Sequence, residues 1–280
     1  MKHAPFGSQV PFAEPAWYRG VPTPYYNANH AKFRDRCRAF LEKEVIPFRD
    51  EWDEAQTFPL QELRGKASAA GILAPWAPAE LGGTPPEGGW DYFMFLIWVD
   101  ECTRVGAGGI VLLLFQIAYM SVPHTMLFGS AYLKEKYARP VIEGNAGMCI
   151  TLTEPQGGSD LANVLTSAVK SADGRFYIVN GQKKFITGGT VCDFFSTLVR
   201  TGGKGLSGTS LLMIEKGYKG VTVRKLKAQV PYYIAITHHT CTPAPTYRHV
   251  HERKRSITAA HATLAHYWHS VTFVTTSARN

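Results

Sequence analysis

The 280 residues contain no paired-cysteine framework. Cys37, Cys102, Cys149, Cys192 and Cys241 are odd in number, lie about 40 or more residues apart and include no C-x-x-C pair. That excludes a disulfide scaffold or a zinc site and points to reduced thiols in an intracellular protein, cytoplasmic or mitochondrial. A long hydrophobic run is also lacking. The longest apolar stretch, residues 109–122, is interrupted by Gln116 and falls short of the roughly 18–20 residues of a membrane span. It reads as a buried helix, and no membrane span is expected. The first 20 residues have only Lys2, His3 and Arg19 as basic groups and no apolar core of a secretory signal. Acidic residues are scarce at the other end: over 230–280 Glu252 stands alone against Arg248, Arg253, Lys254, Arg255 and Arg279. That segment carries half of the net charge of +8, so the excess is too local to mark a nucleic-acid partner. It also holds seven of the ten histidines and nine threonines, with a compositional break near Gln229.

What the chain does have is the 45% apolar and 19% charged composition of an ordinary globular protein of about two domains. Proline and glycine crowd residues 1–26, which read as a loose N-terminal arm ending at Tyr25-Tyr26. Helical spacing follows. With Asn27 or Asn29 as cap, Phe33, Cys37, Phe40, Leu41 and Val45 fall on one apolar face, and Pro47 ends or kinks the helix. Further helices are expected over 60–72, 90–102, 110–120 and 131–143, so residues 27–146 form an all-helical domain.

Near Gly147 the apolar period changes from about 3.6 to about 2. Strands are expected over 148–153, 164–171, 175–180, 183–187, 194–200, 210–215 and 221–226, with tight turns at Asp173-Gly174 and Asn180-Gly181. Residues 147–229 then make a small antiparallel β-sandwich or barrel, and the fold class is α+β. The remaining 230–280 read as an atypical, poorly ordered tail. His249, His251, His261, His266 and His269 lack an acidic or cysteine partner there, so no metal site is expected.

Chemistry is expected at two places. In Thr153-Glu-Pro-Gln-Gly-Gly-Ser-Asp160, Gly157 and Gly158 let the backbone approach a ligand, and Ser159 with nearby amides could hold a phosphate oxygen; the other reading is a capped turn. In Lys184-Phe-Ile-Thr-Gly-Gly189, Phe185 and Thr187 sit two apart on a strand, so the ring could pack on a flat ligand while the hydroxyl bonds to its edge. The other reading is a core Phe and a solvent-facing Thr.

Together and in order, these pieces resemble the acyl-CoA dehydrogenase family. The resemblance rests on Thr153 to Asp160, then Asn180-Gly181-Gln182-Lys183 and Phe185-Ile186-Thr187. Flanking similarities are Ala70-Gly71, Glu80-Leu81-Gly82-Gly83, Phe128-Gly129, Lys136-Tyr137 and Gly144, and the whole covers residues 27–227. It implies a helical N-terminal domain, a β middle domain, an FAD cofactor, an acyl-CoA substrate and α,β-dehydrogenation of the thioester, as in fatty acid β-oxidation. Carried over, Thr153 and the Leu152 backbone would bond to the flavin ring. Gly158 and Ser159 would approach the pyrophosphate, Phe185 would pack against the isoalloxazine and Thr187 would bond near N5. Phe185 stands where Trp is more frequent, Gln156-Gly157 where Gly-Ala is common and Gly188 where Asn is common.

Family members continue into a helical bundle that supplies the catalytic Glu and most subunit contacts, and residues 230–280 do not resemble it. The catalytic residue is therefore unknown, since neither Glu252 nor Glu154, Asp100 or Glu101 is placed to act. Weak FAD binding and a weakened homo-oligomer are expected. A noncatalytic, truncated relative and an oxidase of the acyl-CoA or nitroalkane type stay open as alternatives.

Overall fold

A computed structural model of the chain describes residues 6–226 and, as backbone, the strands Ile234–Pro245 and Thr272–Phe273. The remainder of the expected tail, with its histidines, lies outside the described residues.

The helical domain begins as its caps dictate. Asn27 Oδ1 accepts from the N–H groups of Asn29 and His30 (2.9 and 3.3 Å) while His30 Nδ1 accepts from Asn27 N–H (3.1 Å), a reciprocal box that starts α1 (Ala28–Glu44). Pro47 falls in a short 3-10 turn, after which the chain re-enters helix as α2 (Arg49–Ala55), followed by α3 (Leu60–Ala69). Asp91 caps α4 (Tyr92–Thr103) through Met94 N–H (2.7 Å) and is also 3.2 Å from His30 Nε2, which joins the starts of α1 and α4. Phe33, Cys37, Phe40, Leu41 and Val45 are all buried in one cluster with Met94, Ile97 and Trp98, as the spacing requires.

The central helix, Gly108–Phe128, runs eight residues past its expected end at 120 and is long and apolar enough to cross a membrane. Burial of 61% of its most apolar stretch makes it a core helix instead. Ile110, Val111, Leu114 and Phe115 pack into the helical cluster, whereas Leu113 and Ile117 pack against Cys149, Ile186, Phe195 and Leu212 of the β domain. One helix thus belongs to both cores. The helical segment 131–142 closes the domain.

Among the described residues the β domain is a single sheet of eight strands: β1 (Met148–Thr151), β2 (Ser167–Lys170), β3 (Phe176–Thr187), β4 (Phe194–Arg200), β5 (Thr209–Glu215), β6 (Val221–Lys225), β7 (Ile234–Pro245) and β8 (Thr272–Phe273). Their order is β6-β7-β3-β2-β4-β5-β8, with β1 beside β4. The α+β class stands, and two details differ from expectation. The sheet is not closed into a barrel, and it is mixed: β1 and β2 pair with β4, and β5 with β8, in parallel. The hairpin at Asp173-Gly174 forms, with Gly174 at φ +67° and Ser171 N–H on Phe176 O (2.8 Å). The one expected at Asn180-Gly181 does not, because β3 runs through both residues. Gly181 sits instead at a register irregularity against β7, and a Cβ there would lie 2.4 Å from Thr166 Oγ1. The glycine serves close packing, which a dipeptide pattern alone cannot distinguish from a turn.

The proline-rich arm is not loose over residues 6–26. Phe6 lies 3.8 Å under the Arg34 guanidinium and 4.4 Å under that of Arg38, and Tyr18 is buried. Glu14 takes two hydrogen bonds from Arg38 (3.0 and 2.9 Å) and one from Arg104 (2.7 Å). Burial opposes ionisation of Glu14, yet Arg38, Ser8 N–H and Arg104 outweigh it and hold the carboxyl below its ordinary pKa. The sequence pattern missed this because the partners are charged side chains about 20 and 90 positions away.

Candidate functional site

β1 and β2 lie end to end along one edge of β4, Met148–Thr151 against Phe194–Thr197 and Ser167 against Arg200. The residues between them are therefore expelled from the sheet as a loop, and Thr153 to Asp160 is its first limb. Glu154 and Gly157 exchange both backbone hydrogen bonds (2.9 and 3.2 Å), which pins Pro155 and Gln156 in a tight turn. Gly157 faces open space, with nothing within 4 Å of a Cβ built on it; at Gly158 such an atom would meet the Thr153 side chain, 3.7 Å away at its nearest. Ser159 and Asp160 are exposed.

The Glu154 side chain turns inward. Its Oε1 accepts from Lys183 Nζ (2.8 Å) and Thr166 N–H (2.9 Å), and its Oε2 from Leu165 N–H (2.7 Å) and the Gln156 amide. Burial raises the pKa of Glu154, but Lys183, Thr166 and Leu165 overcome it and bring it down to about 2. Lys183 also donates to Leu152 O (2.9 Å), and burial lowers its pKa against the pull of Glu154. The two side chains are 0% and 2% exposed.

One residue on, Lys184 N–H donates to Thr153 O (2.9 Å), so the first limb of the loop lies against the end of β3. Between Lys183 and Ile186 the register of β3 against β7 shifts. There Phe185 takes φ +59°, rare for a bulky residue. The residue is 57% exposed, and its ring carries the Lys184 ammonium 4.6 Å from its centroid. Ile186 is buried, while Thr187 beside it is half-buried.

The structure sets Leu152 and Thr153 against Lys183 and Lys184, next to Phe185; Thr187 stands apart from them at the end of β3, and Gly158 and Ser159 lie on the exposed turn beyond. Sequence reasoning missed Glu154 and Lys183 as a pair, although both stand in quoted segments, Thr153 to Asp160 and Asn180 to Lys183. Their signs are complementary, but only the fold reveals that residues 29 apart meet. No group of three or more His, Cys, Asp or Glu able to hold a metal occurs among the described residues.

Residues 27–145 match the profile of the acyl-CoA dehydrogenase N-terminal domain, and 149–242 that of the acyl-CoA dehydrogenase middle domain. The second match continues into β7, past the compositional break. The chain is 41% identical to acyl-CoA dehydrogenase apdG of Emericella nidulans over 79% of its own length and 53% of that protein's. It is 37% identical to acyl-CoA dehydrogenase AFT10-1 of Alternaria alternata over 80% and 53%. The chain spans about half the length of these curated relatives. Among solved structures, an acyl-CoA dehydrogenase from Geobacillus kaustophilus superposes with a TM-score of 0.68 at 32% identity, covering 80% of this chain and 58% of that one. Butyryl-CoA dehydrogenase from Megasphaera elsdenii gives 0.70 at 25%, covering 80% and 59%.

Proposed function

The chain belongs to the acyl-CoA dehydrogenase family, and from that premise we propose that it binds FAD and serves the α,β-dehydrogenation of an acyl-CoA thioester. The observation carrying this reading is the tie between Thr153 O and Lys184 N–H, which sets the glycine turn beside an outward-facing aromatic ring. A flavin nucleotide needs both: open backbone for its anionic linker and a flat apolar surface for its ring. The open space at Gly157 and the exposed Phe185 ring meet those needs.

When bound, the flavin supplies the acceptor for the hydride that leaves the acyl β-carbon. Phe185 would cover one face of its ring and exclude water there. Thr153, the Leu152 backbone and Thr187 would hold the ring edge, and Gly158 and Ser159 the phosphates. Glu154 is not the base that takes the α-proton, since its two oxygens already accept four donors inside the protein. The reading includes an acyl-CoA substrate and association of copies of the chain; exposed Leu165 and Val169 give such contact an apolar surface.

Equilibrium dialysis of the folded chain against FAD tests the first step. Weak but saturable uptake of flavin with a shift of its visible absorbance band is expected, and Thr187→Val and Ser159→Ala should each weaken it about tenfold, the worth of a hydrogen bond or two. A folded chain that retains no flavin would sink the reading. Anaerobic addition of acyl-CoA thioesters to the loaded protein, followed by bleaching of that band, tests the second step.

A further inference from the structure

We infer that the buried Lys183–Glu154 pair is a positioning device for the flavin face, holding Phe185 outward by tying the loop of residues 152–166 to the end of β3. The inference rests on the proposed reading that this face receives a flavin. Its physical basis is the way the bonds converge. From β3, Lys183 Nζ donates to two residues of the outgoing limb, Leu152 O at 2.9 Å and Glu154 Oε1 at 2.8 Å. The same carboxylate accepts from the returning limb, at Leu165 N–H and Thr166 N–H. One ion pair therefore joins both limbs to the strand.

Phe185 lies immediately beyond that junction. On one side, Lys183 and Lys184 are fixed to Leu152, Thr153 and Glu154. On the other, Ile186 is buried among Cys149, Tyr177 and Val179 and is paired with β7. With both neighbours anchored, one surplus residue must be absorbed, and it is absorbed at Phe185 by a positive φ that a bulky side chain disfavours. The strained conformation persists because the surroundings over-determine it. An apolar pair could fill the same buried space, often at equal or better stability. The ammonium and carboxylate instead specify one register, because each of their bonds is satisfied in only one alignment of loop and strand. Neither residue reaches the outer face, so they act through Phe185.

A double-mutant comparison of FAD affinity in the whole chain tests this, using flavin fluorescence for wild type, Lys183→Met, Phe185→Ala and the combination. Each single change should weaken binding about tenfold, the worth of one aromatic stack, and the double should be no weaker than the worse single. Multiplying losses would overturn the proposal. Amide hydrogen exchange without FAD gives a second readout: Lys183→Met should speed exchange over 152–156 and 184–187 and leave the central helix unchanged. Unaltered exchange in those two segments would equally overturn it. If wild type binds no FAD, the flavin reading fails, and the exchange data still decide whether the pair fixes the loop to the strand. If Lys183→Met does not fold, Glu154→Gln keeps the shape while removing the charge, and the same two outcomes apply to it.

Discussion

Phe185 is more than half exposed and holds its backbone at φ +59°, a conformation costing a non-glycine residue about 1–2 kcal/mol. Phe185→Gly releases that strain and gives up little buried surface, while adding about 0.5–1 kcal/mol of unfolded-state entropy. Urea unfolding should show stability unchanged or raised by up to about 1 kcal/mol, with flavin affinity reduced. A loss above about 2 kcal/mol would mean that the ring packs more than its exposure allows. Glu14 presents the opposite case. Its side chain, fully buried, shares Arg38 with buried Glu101. Removing it leaves a buried guanidinium half-paired, so Glu14→Ala should cost about 3 kcal/mol in the same measurement. A cost under about 1 kcal/mol would show that the arm contributes nothing to the fold.

Elements meet at His124 and Gly188. His124 lies at 123–128 of the central helix, buried, with Nε2 2.6 Å from Ser196 Oγ on β4. Burial lowers its pKa from 6.5 to about 4. The folded state therefore resists a proton that the unfolded chain takes up, and stability falls as pH drops from about 6.5 toward 4. Between pH 7 and 4.5 this amounts to about 2 kcal/mol. His124→Asn should remove that part of the acid sensitivity; denaturation curves at both pH values that keep the full difference in the variant would refute the assignment. Gly188, at φ +77°, is crowded: a Cβ would lie 2.4 Å from the tip of Ile117, its Cδ1, on the central helix. Gly188→Ala must therefore hold a side chain in left-handed backbone and displace the end of Ile117, at a cost of about 1–3 kcal/mol in thermal unfolding. A melting point within a degree of wild type would show that Ile117 has somewhere to move.

The two domains share a core helix, so at the scale of the molecule they should unfold as one cooperative unit. Leu113 and Ile117 pack with the sheet while Ile110, Leu114 and Phe115 pack with α1 and α4, and Tyr137 OH and Lys136 Nζ both bond Glu215 on β5 (3.0 and 2.7 Å). All five described tryptophans, Trp17, Trp52, Trp76, Trp90 and Trp98, lie in the arm and helical domain. Their fluorescence should change at the same urea concentration at which amides of β4 and β5 lose protection from exchange. Separated transitions would mean that the helix serves one domain only.

By itself the sequence determined what depends on near neighbours. The face of α1, its Asn27 cap, the Asp173-Gly174 hairpin, the passage from helices to strands near Gly147 and the two segments that carry the family resemblance are all legible there, because helix and strand periods and turn chemistry are local. Tertiary structure alone decided that Asn180-Gly181 continues a strand, that the arm is clasped through Glu14 and that the sheet stays open with parallel members. It also decided that Glu154 meets Lys183 and that Phe185 turns outward on a bulge. Each of these depends on charges or Cβ atoms tens of residues apart coming within bonding distance, and a one-dimensional pattern does not contain that distance.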